Sequence, residues 1–146
     1  MKLFEPLEVK NLRLKNRMVM PPMCMYSARQ QDGYVAPFHL AHYAYRAWSN
    51  VGLIIVEATG VTPEGRISDD CLGLWEDGQV EGMRKLTDAV HAAGAPIALQ
   101  VNHAGRKSRT VSPRHLAPSA VAYNNHPVDY VEMTQQDIDR VLDGFT

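Results

Sequence analysis

Three apolar stretches of the chain end in groups capable of chemistry. The first, within "MVMPPMCMYSA" at residues 18–28, sets a thiol, Cys24, and a phenol, Tyr26, directly behind Pro21 and Pro22. The second ends in Glu57-Ala58-Thr59-Gly60 and the third in Gln100-Val101-Asn102-His103. A thiol, a phenol, a small residue and an amide able both to donate and to accept hydrogen bonds suit the holding of a planar polar ring. Acyl or phosphoryl transfer is disfavoured, because no nucleophile–base pair is evident and no GxSxG, GxGxxG or P-loop occurs. The competing reading of Cys24 is a core filler, the usual role of a cysteine among methionines.

The elements that must position these groups follow from periodicity and punctuation. "LEVKNLRLKN" alternates around Lys10 and Asn11 and reads as a short hairpin. "RMVMP" is a brief apolar strand that the prolines end, since proline has no N–H to give a ladder. "SARQQDGY", with Asp32-Gly33, reads as a loop. Pro37 suits the first turn of a helix, and Leu40, Ala44, Ala47 and Val51 recur on one face of it. "VGLIIVEATGV" is apolar without alternation, as strands buried on both faces of a parallel sheet are. Asp77 and Gly78 open a second helix with Val80, Met83, Leu86, Val90 and Ala93 on one face, and Gly94 ends it. "PIALQVNH" is the third buried strand. The segment "AGRKSRTVSPRHLAPSAVAYNNHPVDY" reads as one long loop, of a length that is usually functional. Thr134 and Asp137 then form a capping box for a third helix carrying Ile138, Val141, Leu142 and Phe145.

Strand and helix alternate, so the sheet should be parallel, with its reactive groups gathered at the C-terminal ends of the strands. Three such strands leave two open edges, and two helices cannot cover both faces. A complete (β/α)₈ barrel takes about 250 residues. The expectation is therefore an α/β chain that supplies an N-terminal hairpin and the first three β/α units of a parallel (β/α)₈ TIM barrel. The alternative is a compact three-stranded α/β domain. No internal repeat or linker divides residues 1–146.

With 45% hydrophobic and 21% charged residues the chain should fold. A formal net charge of -1 without a basic run makes nucleic acid an unexpected partner. The apolar stretches fall far short of the roughly 20 residues that span a bilayer, and Glu5 and Pro6 stand where a signal peptide requires an apolar core. A cytoplasmic location is expected. Two cysteines in a reducing compartment point to free thiols, and without a CxxC no structural zinc is expected. His39 and His42, three apart on a helix, lack the neighbours of a metal site. His103 is open between touching substrate or phosphate and supporting its loop. Arg106 and Lys107 are open between structural and cofactor roles. Cys71 reads as a loop or core thiol, and Trp48 and Trp75 as packing residues.

Taken together, "PPMCMYS", "PFHLAHYAYRA", "VGLIIVEATGVTPEGR", "LGLWEDGQVEGMRKLTDAVHAAG", "QVNHAGRK" and "LAPSAV" resemble, in order and without large insertion, the N-terminal part of the Old Yellow Enzyme family. They are most similar to its thermophilic-like branch of bacterial NADPH dehydrogenases and ene-reductases. The resemblance implies an FMN enzyme in which hydride passes from NADPH to the flavin and on to an activated alkene such as an enone. It implies that Pro21, Pro22, Met23 and Cys24 line the flavin and that Cys24 tunes its potential. Ala58 would be a flavin contact, Gln100 would bond the ring's polar edge, and Tyr26 would be a substrate-pocket phenol. Pro21 departs from the small residue, often Ser, that relatives carry there, so only a backbone carbonyl contact is expected of it. The family's substrate-anchoring His pair, proton-donating Tyr, flavin Arg and phosphate loops would lie beyond Thr146. The chain alone is therefore expected to be inactive and to need a complementary barrel fragment or self-association. The alternative is a non-catalytic half-barrel.

Overall fold

The computed structural model describes residues 1–123 and 129–146. Strand β1 (Leu7–Val9) pairs antiparallel with β2 (Leu12–Leu14), turning at Lys10 as the alternation predicts. This hairpin sits at the end of the sheet remote from the candidate groups, where Lys15 Nζ donates to Gly94 O at 2.9 Å and Asn16 Nδ2 to Asn50 O at 2.8 Å.

The central sheet is parallel, in the order β3 (Val19–Met20), β4 (Leu53–Gly60), β5 (Ile97–Asn102). Helix α1 (Pro37–Trp48) connects the first two strands and α2 (Val80–Ala92) the next two. Both helices pack on one face. Tyr43 and Ala47 of α1 and Leu86 and Val90 of α2 join Met20, Ile54, Val56 and Leu72 in one buried cluster. Gly94 ends α2 with φ +83°, a conformation natural to glycine alone. The burial expected on both faces holds for β4 but not for β5, whose Ala98, Gln100 and Val101 are exposed because nothing packs on the second face.

Several expectations need correction. Val51 lies beyond the end of α1, which stops at Trp48, although it still packs against the core. The inward face of α1 carries His39 and Tyr43 as well as Ala47: the Tyr43 hydroxyl bonds Glu57 of β4, and His39 Nδ1 accepts Ala36 N–H at the start of its own helix. Trp48 does not pack: 74% of it is exposed. Trp75 does. Its indole fills the space left by Gly33 and Gly73, where an added Cβ would come within 2.5 and 1.8 Å of ring atoms, and Arg66 lies over it at 5.0 Å.

The segment read as one long loop is partly ordered into β6 (His115–Ala117) and β7 (Tyr130–Glu132), which pair parallel. Three-residue strands interrupted by prolines carry no period to detect. Residues 124–128 of that segment lie outside the described residues. Helix α3 (Gln135–Gly144) follows with the predicted capping box. Thr134 Oγ1 accepts the Asp137 N–H at 3.2 Å, and Asp137 accepts the Thr134 N–H at 2.9 Å. Arg114 and Asp137, at 3.2 Å, tie this helix to the start of β6, and the ion pair of Arg140 with Glu64 ties it to the loop after β4. No helix among the described residues is long and apolar enough to cross a membrane.

Truncating a fully buried contact between the helices and the sheet tests this core. Leu86→Ala is expected to cost about 2–5 kcal/mol in urea unfolding. Leu142→Ala, on the exposed side of α3, should cost no more than about 0.5 kcal/mol.

Candidate functional site

The three strand ends meet through the register of the sheet. The β3–β4 ladder ends with Met20 opposite Ile54, and beyond it the Cys24 sulfur is met by Ala58 N–H. Pro21 and Pro22 lie between Met20 and Cys24. Their missing N–H groups end the ladder and release the chain into the loop. On the other side of β4, Ile54–Val56 face Ile97–Leu99 one for one, but Thr59 faces Val101. Glu57 and Ala58 together therefore stand opposite Gln100. This bulge takes Ala58 N–H out of the ladder, where it donates to the Cys24 sulfur. Cys24, Ala58 and Gln100 thus lie in one row across the sheet. Ala58 is buried, Cys24 half-buried and Gln100 exposed. Met23 and Tyr26 rim the row with exposed apolar surface, and the Tyr26 hydroxyl is within hydrogen-bond reach of the Cys24 thiol.

Beneath the row lies a carboxylate that sequence reasoning passed over. The side chain of Glu57 is wholly buried. It accepts Met25 N–H at 2.8 Å, Tyr26 N–H, and the Tyr43 hydroxyl at 3.2 Å, while that hydroxyl accepts Glu57 N–H at 3.0 Å. Burial pushes the Glu57 carboxyl up from its usual range, and the Met25, Tyr43 and Tyr26 donors pull it part of the way back. His39 Nε2 is 3.7 Å from Glu57 Oε1. Burial also holds His39 below its usual range, so the contact is with a neutral imidazole at neutral pH and is not an ion pair. Its Nδ1 accepts Ala36 N–H at 3.0 Å and caps α1. This network holds Tyr26 in the left-handed region, φ 50°, a conformation costing a residue with a Cβ about 1–2 kcal/mol. The available signal was a lone charge inside the apolar run "LIIVEATG".

Cys71 is a buried loop thiol, as expected, but its nearness to Cys24 was not foreseen. Both cysteines are free, and their thiols share a hydrogen bond. Arg66 braces the loops around them, donating to Pro63 O at 3.0 Å, Gln31 O at 3.1 Å and Asp69 O at 2.6 Å. The residues left open by the sequence make contacts within the loops. His103 Nδ1 accepts Gly105 N–H at 3.2 Å, and its ring packs on Gly65. Arg106 donates to Ser119 Oγ at 2.9 Å, and Lys107 lies over the Tyr123 ring at 5.2 Å. Among the described residues no group of three or more His, Cys, Asp or Glu is placed to hold a metal ion.

A parallel sheet with its polar groups in a row at the C-terminal strand ends defines an α/β protein whose site opens at that end. The chain belongs to the NADH:flavin oxidoreductase / NADH oxidase family, whose sequence model matches residues 2–146. It is 49% identical over 144 residues to an NADPH dehydrogenase of Bacillus velezensis and 47% identical over 144 residues to that of Bacillus subtilis, covering 99% of this chain and 42% of each relative. Among solved structures it resembles morphinone reductase, with TM-score 0.86, 29% identity and coverage of 98% of this chain and 42% of that one. An Old Yellow Enzyme homologue from Zymomonas mobilis gives TM-score 0.85 and 34% identity, covering 99% of this chain and 43% of that one. The expected hairpin and first three β/α units of an Old Yellow Enzyme barrel are thus present, and FMN and NADPH are the cofactors of the family. The chain spans under half the length of these relatives.

Two measurements test the buried network. Glu57→Leu strands the Met25 and Tyr26 N–H groups and should destabilise the fold by about 2–4 kcal/mol, against about 1 kcal/mol for Tyr43→Phe. The second concerns His103, which burial holds neutral below its usual 6.5. The unfolded chain takes up that proton first, so stability is full above 6.5 and is lost as pH falls through it. Between neutral pH and about 5.5, His103→Gln should therefore lose less of its own stability than the parent loses.

Proposed function

We propose that this chain forms one wall of the flavin site in an FMN-dependent NAD(P)H oxidoreductase that reduces the activated C=C bond of α,β-unsaturated carbonyl compounds. The observation that carries the reading is the row of Cys24, Ala58 and Gln100, with the small residue between the thiol and the amide. A flat ring laid along it meets no bulky side chain at its centre, so the residues present fit the isoalloxazine. The chemistry supplied there by bound FMN would be hydride transfer from NADPH to the alkene.

The residues of the chain bind and tune. Gln100, exposed at the end of β5, offers an amide to the polar edge of the ring. The Cys24 thiol would lie against the ring and adjust its electronics without a fixed charge. Pro21, Pro22 and Met23 line the approach, Pro21 through its carbonyl alone. Tyr26, 46% exposed, presents a phenol to a substrate carbonyl. None of these groups is placed as a proton donor to the substrate carbon, and none grips a phosphate. The chain by itself is therefore inactive. The free edge of β5 is where the next strand of the barrel would pair with it as its complementary partner.

Native mass spectrometry and absorbance test this reading. The chain, co-expressed with a segment completing the barrel, should carry FMN whose visible absorbance is bleached by NADPH and restored by a cyclic enone. Gln100→Leu, at an exposed position, should weaken FMN retention about tenfold, the worth of one good hydrogen bond. The 146-residue chain alone should show no turnover. Enone reduction by the isolated chain would overturn its assigned inactivity, and a colourless complete assembly would overturn the flavin site.

A further inference from the structure

The two thiols of this chain are neighbours in space although 47 residues separate them in sequence. Cys24 stands at the exit of β3, partly open to solvent, and Cys71 in the loop after β4, wholly buried. The backbone holds them there. Asp70 O accepts Ala28 N–H at 3.0 Å, which pins the Cys71 loop to the Cys24 loop, and Leu72 O accepts Gly60 N–H at 2.9 Å, which pins it to the end of β4. Each sulfur sits in a different set of donors. Cys71 has the Cys24 S–H, the backbone N–H groups of Ser68 and Ile67, and Ser68 Oγ at 3.6 Å. Cys24 has the Ala58 N–H freed by the bulge. A packing cysteine needs neither a second sulfur nor such donors.

We propose that Cys24 and Cys71 are a redox pair that a hydroperoxide oxidises to an intramolecular disulfide, with Cys24 the attacked sulfur and Cys71 the resolving one. Accessibility sets the order: a small peroxide reaches Cys24 but not Cys71. The donor geometry supplies the resolving thiolate, since the hydrogen bonds from Cys24 and Ser68 draw Cys71 down to about 6 while its partner is pushed up. In the first step the Cys24 proton passes to Cys71, and the Cys24 thiolate attacks a peroxide oxygen. An S–O bond forms, the O–O bond breaks, and the leaving hydroxide takes the proton back from Cys71 to depart as water, which restores the Cys71 thiolate. In the second step the Cys71 thiolate attacks the Cys24 sulfur. The S–S bond forms, the S–O bond breaks, and a second hydroxide leaves as water. Two thiols lose two electrons and two protons, and one hydrogen peroxide becomes two waters. The disulfide joins the β3 exit to the loop after β4 and removes the thiol from the rim until a reductant restores it. This chemistry does not depend on flavin.

The test is peroxide treatment of the reduced, folded chain with dimedone present as a sulfenic-acid trap, read by intact mass and non-reducing peptide mapping. The expected product is lighter by about 2 Da, carries a Cys24–Cys71 peptide, is reversed by dithiothreitol and has almost no dimedone. Cys71→Ser should accumulate at least about tenfold more dimedone adduct at Cys24 than the parent, because the resolving thiolate is gone. If that variant fails to fold, the parent's peptide map decides. The proposal is overturned by a parent that stops at a dimedone adduct or sulfinic acid on Cys24 with Cys71 still alkylatable after unfolding. It is equally overturned by disulfides only between chains, or by two thiols that survive peroxide sufficient to oxidise glutathione.

Discussion

The architecture of the strand ends depends on one buried carboxylate. A charge-bearing group inside an apolar strand is tolerated only if its hydrogen-bonding capacity is met. Glu57 meets it with donors from two other elements: the Met25 and Tyr26 N–H groups of the loop leaving β3, and the Tyr43 hydroxyl of α1. Once made, these bonds leave that loop little freedom. The backbone on both sides of Cys24 and Tyr26 is therefore placed from below, by the interior of the sheet.

The bulge in β4 is the other half of the arrangement. One extra residue lets the strand present Glu57 to the interior network and still set Ala58 opposite Gln100. Without it, the residues that follow would exchange faces. A regular strand would have to choose between the buried acid and the small residue in the row. The loops above are braced separately by Arg66, whose guanidinium is spent on three carbonyls and an indole face.

What could be read from the sequence follows what has a period. The hairpin, the three parallel strands, both core helices and the capped third helix were legible, because each carries alternation, a continuous apolar run or a helical stripe bounded by Pro, Gly or Thr. The strand-end row was legible in outline, since a parallel sheet puts its chemistry at the C-terminal ends. Two kinds of information were not. Pattern reading sends polar side chains outward, so His39 and Tyr43 were lost from the inward face of α1 and Glu57 from the site. Contacts across distant loops leave no local trace, so the nearness of Cys71 to Cys24 was not seen and β6 and β7 read as loop. Trp48 misled for the opposite reason: an apolar side chain was assigned a buried surface that none of the described residues provides.

Gly33, Gly73 and Trp75 form a lock with only one setting. A side chain at either glycine would enter the space of the indole, and without the indole the platform under Arg66 would be lost. Gly73 and Trp75 therefore make up a single evolutionary character. A lineage that abandoned Trp75 would free Gly73, whereas Gly33 would still be held by its φ of +76° and by Gln79 Nε2, 2.9 Å from where a Cβ would stand.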